Sequence, residues 1–325
     1  MKLTTKPVIY SALRLCIIAT LSGGLPSAGL SQTVEQASVV QSLTKTSNWE
    51  LAASIPLQFA SYHPQGLVKI GDYFFMSSVE TTVSPIRINN PQSNFDRTPG
   101  AGIGHLFKFA QDGSLLDDLI LGEGTMYHPG GIDFDGEFIW ASVAEYRPNS
   151  QSIVYKIDPE TMQQEEVFRF PDHLGSVLKD FTSDTLYAVN WGSRKFYQWD
   201  IDTNTGIDAG QQETIPDSTV MHPNRHHYID YQDCQWLPPH NMLCSGLGTY
   251  SNDKLEKFKL GGIELLELPS FQVIMQLPVT KTTDSGVLLT QNPFYFETSS
   301  SQEIFMHFVP EDDSSTLFSY RVIPL

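Results

Sequence analysis

Cationic side chains are scarce in this chain: 20 Lys and Arg stand against 37 Asp and Glu over 325 residues, for a formal charge of −17. A summed field of that sign repels nucleic acid and anionic lipid, so neither is expected as a partner. Cysteine is scarce too, with Cys16, Cys234 and Cys244 the whole complement, too few for a fold stapled by several disulfides. No run approaches the roughly 20 apolar residues that a membrane span needs. Beyond the N-terminus no stretch repeats at the 3.6-residue period of an amphipathic helix, which argues against a helical fold. Ser193 has no elbow motif around it, so a nucleophilic serine is not expected.

Apolar residues make up 40% of the chain, enough to bury a large core in one all-β domain or in two smaller ones. Residues 1–31 read as an export signal. Lys2, Lys6 and Arg14 give a basic start, 15–21 is a short apolar run, and Ser27, Ala28, Gly29 and Ser31 offer cleavage points. Its removal takes away three positive charges and moves the formal charge from −17 to −20. A secreted or periplasmic address follows, with no membrane attachment after cleavage. Residues 32–48, rich in Ser, Thr and Gln, read as a flexible lead-in, and 49–325 as the folded domain.

One pattern keeps returning: a His, one or two small residues, then an apolar two-strand unit. It occurs as His63-Pro-Gln-Gly-Leu, His128-Pro-Gly-Gly-Ile and His173-Leu-Gly-Ser-Val, and more loosely as His227-Tyr-Ile-Asp-Tyr. The intervals of 65, 45 and 54 residues lie in the range of a propeller blade. Each unit opens with a tight hairpin: 67–70 and 73–79 flank Gly71-Asp72, and 132–134 and 138–143 flank Asp135-Gly136, a pair that favours a type I′ turn. A second hairpin usually follows, for instance around Gln111-Asp-Gly-Ser, Asp158-Pro-Glu-Thr and Asp202-Thr-Asn-Thr-Gly. Four strands per unit make a blade. Five units are counted, at 63–122, 128–170, 173–215, 227–279 and 284–325, so the expectation is a single β-propeller of five blades. A sixth hidden in 80–104 stays open. The last unit has only three strands, and the spare strand at 49–59 is expected to complete it and close the ring. Tyr62, Phe74, Phe75, Phe138 and Trp140 are expected between blades. Cys234 and Cys244 fall across a hairpin that turns at 238–241. They form either a bridge, in an oxidising compartment, or two buried thiols.

Blade topology turns the His motif into a location. Residues before each innermost strand lie at one rim of the axis, and every connection between second and third strands returns to that rim. His63, His128, His173 and His227 therefore share a rim, where they either cap strand ends or converge to hold a divalent metal, Zn²⁺ among the candidates. The returning connections bring Arg87, Arg147, Asn149, Asn190, Trp191 and Arg194. Glu80, Glu145, Asp180, Asp230 and Asp233 are rim carboxylates that could separate into acid and base or bind Ca²⁺, or else stay solvated or paired with arginines. Trp191-Gly-Ser-Arg194 offers a flat wall and a fork of donors, suited to a sugar or a small anion. Glu80, Glu145 and Arg194 are the candidates for catalysis. Gln65, Arg87, Arg147, Asn149, Asn190, Trp191 and Asp230 are those for ligand contact. His63, His128 and His173 are expected in one pocket with at least one of the catalytic candidates.

Gln65-Gly-Leu, Asp96-Arg-Thr-Pro-Gly, Gly104-His-Leu-Phe, His128-Pro-Gly-Gly-Ile-Asp, Tyr146-Arg-Pro-Asn-Ser, Trp191-Gly-Ser-Arg and Tyr231-Gln-Asp-Cys together resemble a family of exported microbial proteins of unknown function. A β-propeller is predicted for that family. The resemblance covers most of 60–270 and implies a fold and an address but no activity. Asp172-His-Leu-Gly-Ser departs from it where the family usually has a second Gly. A shorter stretch, Gln65-Gly-Leu with Glu80, Ser84 and Arg87, resembles plant-type glutaminyl cyclases, but His63-Pro64 replaces the Phe-Thr that precedes their motif. The metal-binding Glu-Gly-Pro of lactonase-type propellers is absent. Two classes of function remain: a hydrolytic or cyclising small-molecule enzyme working at the His-bearing rim with metal or carboxylate help, or a non-catalytic module that holds a ligand or partner there.

Overall fold

The structure, a computed structural model, describes residues 36–180, 182–201, 218–299 and 301–324. The signal at 1–31 and the turn expected at 202–206 lie outside them. The described residues form twenty strands arranged as five four-stranded antiparallel blades. β1 (Asn48–Pro56) stands apart at the start. The first blade follows as β2 (His63–Ile70), β3 (Tyr73–Val83), β4 (Ala101–Ala110) and β5 (Leu115–Leu121). The second is β6 (Met126–Phe134), β7 (Ile139–Glu145), β8 (Ser152–Ile157) and β9 (Gln164–Phe170). The third is β10 (Leu174–Asp180), β11 (Thr185–Asn190), β12 (Lys195–Asp200) and β13 (Val220–Pro223). It therefore runs past the boundary at 215 that sequence spacing gives. The fourth is β14 (Asp230–Leu237), β15 (Asn241–Ser251), β16 (Lys257–Glu267) and β17 (Gln272–Val279). β18 (Phe294–Thr298), β19 (Ile304–Phe308) and β20 (Thr316–Ile323) make the fifth, and β1 completes it by pairing antiparallel with β20, Trp49 opposite Val322.

Period-2 alternation explains how each blade buries both of its faces. On β7, Ile139, Ala141 and Val143 pack toward the first blade, while Trp140 on the opposite face packs with Val177 and Trp199 of the third. Five apolar clusters result, each shared by two neighbouring blades, and the cluster of Leu67, Phe74 and Phe109 with Val309 and Leu317 joins the first blade to the last. The excursion at 84–100 leaves and rejoins a single hairpin, since Val83 pairs with Ala101 and Glu80 with Ile103. No sixth blade is built from it among the described residues.

The glycines of the His motif set how closely the innermost strands approach. A Cβ on Gly130 would stand 2.3 Å from the Gly175 carbonyl, and one on Gly131 would stand 2.5 Å from a carboxylate oxygen of Asp233. Here the glycines are required by atoms of neighbouring strands, backbone for Gly130 and side chain for Gly131, rather than by a turn. Cys234 and Cys244 face each other in the β14–β15 register and are bridged. The lead-in needs correction: residues 36–41 are helical, with Ala37, Val40 and Leu43 buried against the fourth and fifth blades. Spacing of three residues puts those apolar side chains on one face, which outweighs the polar composition around them.

Deleting residues 36–56 removes β1 and exposes the backbone edge of β20 along with the Phe308–Trp49 contact. The expected outcome is loss of the cooperative thermal transition. A truncated chain that unfolds at the temperature of the full one would refute closure by β1.

Candidate functional site

Among the described residues, the N-terminal ends of the innermost strands surround a cleft of about 220 Å³. His63 opens β2, His128 is the third residue of β6, and His173 directly precedes β10. All three line the cleft, together with Gln65, Tyr146, Gly175, Asn190, Trp191, Asp230 and Gln232. Ring centroids are 6.4 Å apart for His63 and His128 and 5.5 Å apart for His128 and His173. Tyr146 lies 4.2 Å from the His128 ring, and Trp191 meets His173 edge-on at 4.7 Å.

The three imidazoles are held differently. His63 Nδ1 is 2.8 Å from Asp312 Oδ1, and Asp312 also accepts a hydrogen bond from Asn292 Nδ2 at 2.9 Å. Burial opposes ionisation of Asp312, but the bonds from His63 and Asn292 hold its carboxyl below the ordinary range. His173 donates from Nδ1 to the Glu145 carbonyl at 2.7 Å, which fixes its tautomer. Burial depresses its pKa to about 4. His128 is buried with no hydrogen-bond partner at either ring nitrogen. Desolvation, and then the neighbouring His173 and His63, push its pKa well below the usual value. Near neutral pH the floor of the cleft is therefore two uncharged imidazoles, with both ring nitrogens of His128 covered by protein.

The remaining candidates divide sharply. Gln65 lines the cleft with its amide nitrogen turned onto the Pro64 carbonyl. Asn190 lines it too, yet its side chain is consumed as a corner brace: Oδ1 accepts from the Arg194 and Lys195 amides and Nδ2 donates to Asp172. That brace shapes the 3-10 turn Trp191–Ser193, where Gly192 has φ 66° and allows Trp191 to face the cleft. Asp230 is paired with the exposed Arg194 at 2.7 Å. Glu145 reaches the site through its carbonyl alone. Its carboxylate turns to Thr125 and Arg147, and although burial opposes ionisation, those two bonds keep it below its ordinary value. Arg147 caps the Phe95 ring at 3.6 Å, and Asn149 occupies a turn with φ 54°.

Glu80, Arg87 and His227 are not brought to the cleft. Glu80 sits by His105 of the neighbouring β4, 3.7 Å away. Arg87 is exposed and paired with Asp96, and His227 is exposed. Ser84 is exposed as well, so of the residues that resemble a glutaminyl cyclase site Gln65 alone lines the cleft. Asp180 binds His240, away from the cleft, and Asp233 lies below it inside the axis. Among the described residues no group of three or more His, Cys, Asp or Glu side chains is arranged to hold a metal ion. The four-His set is reduced to three: His63, His128 and His173 line one cleft, whereas His227 is exposed and does not line it.

Asp312 was missed by sequence reasoning. It lies in the connection between β19 and β20, which returns to the His-bearing rim like its counterparts in the other blades. The acidic run Glu311-Asp312-Asp313 beside Pro310 was the available signal.

The fold and cleft define a five-bladed β-propeller with an imidazole-lined pocket at one rim. The chain belongs to a family of unknown function, DUF6454, whose sequence profile matches residues 20–324. No curated protein matches it in sequence. Among solved structures it is similar to a mannose phosphorylase from Leishmania mexicana at 10% identity, covering 89% of this chain and 92% of that one with a TM-score of 0.47. It is also similar to an exo-β-1,3-galactanase from Phanerochaete chrysosporium at 11% identity, covering 84% and 64% with a TM-score of 0.48. A third is the WD40 domain of Toxoplasma gondii coronin, at 10% identity, 87% and 88% coverage and a TM-score of 0.35.

Because His173 titrates near 4 when folded and near 6.5 when unfolded, the unfolded chain binds more protons between those values. The stability that His173 contributes is present above pH 6.5 and is lost as pH falls toward 4. Thermal melts over that range should show a falling midpoint, and His173→Asn, which keeps a donor for the Glu145 carbonyl, should flatten it. An identical slope in the variant would exclude His173 as the cause.

Proposed function

We propose that the protein is a small-molecule enzyme whose cleft performs acid–base chemistry of the hydrolytic type. The observation that carries this reading is the His63–Asp312 pair at the cleft wall, 2.8 Å apart. A carboxylate on Nδ1 fixes the tautomer so that Nε2 is the free, accepting nitrogen. His63 then takes a proton from water or a substrate hydroxyl through Nε2 as general base, and Asp312, the positioning residue, supplies the counter-charge. The oxygen of the attacked group gains negative charge as the new bond forms, and the Gln232 amide lining the cleft is a donor for it. The proton on His63 passes to the leaving group, which closes the cycle without a metal ligand. The reading places the enzyme outside the cytoplasm, secreted or periplasmic. The Cys234–Cys244 bridge and the basic-then-apolar start of the chain support that address, and no described helix is long and apolar enough to cross a membrane.

A second reading, a non-catalytic binding cup, is favoured by one feature: Asn190, Asp230, Arg194 and Glu145 are all engaged within the protein, which suits a rigid receptor. Turnover of a panel of chromogenic esters, lactones and glycosides separates the two. His63→Gln should lower kcat on any substrate found by about 10²-fold or more. Asp312→Asn should lower it less and shift the pH–rate profile. Turnover indifferent to His63→Gln, or a ligand bound but never converted, would overturn the catalytic reading.

A further inference from the structure

The size, walls and charge balance of the cleft specify what fits it. Its volume of about 220 Å³ is below the roughly 300–1,000 Å³ of pockets that take drug-sized molecules, so one ring with its substituents fills it. Two of its walls are aromatic: Tyr146 and Trp191 stand 5.8 Å apart, centroid to centroid, with planes inclined by 45°. The charged side chains around it are already neutralised within the protein. Arg194 is bound to Asp230 and Arg147 to Glu145. Arg97, whose guanidinium lies 5.1 Å from the Trp191 ring centroid, is bound to Asp96, and His63 is bound to Asp312. An ionic ligand would have to compete with these pairs.

Gln232 narrows the class further. It lines the cleft, and an amide presents both a donor and an acceptor. An apolar ring satisfies neither, an anion only the donor and a cation only the acceptor, whereas a hydroxyl group serves both.

We infer that the cleft takes a single neutral, polyhydroxylated ring of the monosaccharide class, stacked on Trp191 and hydrogen-bonded to Gln232. This rests on reading the cleft as the working site. Trp191 supplies the apolar face for the C–H side of the ring, and the hydroxyls turn toward Gln232.

Gly175 provides a steric test that leaves the fold intact. It lines the cleft, and a Cβ there would meet nothing closer than 3.6 Å, an ordinary contact. Binding of glucose, galactose, mannose and xylose is measured by saturation-transfer NMR. Glucuronate, glucose 6-phosphate and cyclohexanol serve as the charged and apolar counterparts. At least one neutral sugar should bind saturably, at least tenfold more tightly than its charged and apolar counterparts. Gly175→Leu and Trp191→Ala should each weaken it tenfold or more, with melting temperatures reported beside the binding data. The inference is overturned if no neutral sugar binds, if a charged counterpart binds as well, or if Gly175→Leu leaves binding unchanged. The two readings fail separately. A sugar bound but never converted removes the catalytic reading and leaves the ligand class. Conversion of a non-sugar that depends on His63 does the reverse.

Discussion

The ring is held at its centre by side chains that hydrogen-bond to backbone across the axis. Asp233 on β14 accepts from the Leu67 amide of the first blade at 2.9 Å, and Asp133 on β6 accepts from the Trp236 amide of the fourth at 2.9 Å. Gln235 both donates to and accepts from the Phe296 backbone of the fifth. Innermost strands of different blades pair side to side very little; Ser176 and Gly131 are the one such pairing between β10 and β6. Their inward backbone groups would otherwise be buried and unpaired, which is costly. The axial carboxyls meet that demand. They sit in a region dry enough that burial pushes both pKa values well above the ordinary range.

The same constraint makes the cleft. The glycines that let Asp233 and the neighbouring strands come close also bring His63, His128 and His173 to one level above the axial plug. With the inner strands so near, the imidazoles cannot turn out to water, so His128 and His173 lose solvation and their charge. Tight blade packing and an uncharged floor thus have one cause.

Much of this was legible in the chain. The run of hairpin units, four of them opened by a His string, gave the blade count, and the three-strand final unit with a spare strand at 49–59 gave the closure, because both follow from period-2 patterning and the need to pair strand edges. Convergence of three imidazoles follows from ring geometry. The direction of the charged side chains does not. Glu145 and Arg194 lie at the expected rim but spend themselves on Arg147 and Asp230, a choice made by contacts that a linear pattern does not contain. Asp312 escaped because the fifth blade was read as strands only, without applying to it the rule used for the other four. The lead-in helix escaped because three apolar residues among polar ones carry little signal until a groove between two blades is there to receive them.

The axial plug also decides how molecules come and go. Asp133 and Asp233 are 2% and 1% exposed, so the middle of the propeller is shut and the cleft is a cup with a single mouth. Whatever occupies it must leave by the way it entered before the next molecule arrives. Entry and exit cannot overlap, and a spent molecule that lingers excludes its successor. Any crowding of that mouth, such as a bulkier side chain in the 84–100 excursion beside Arg97, would slow arrival and departure together and leave the equilibrium between them untouched.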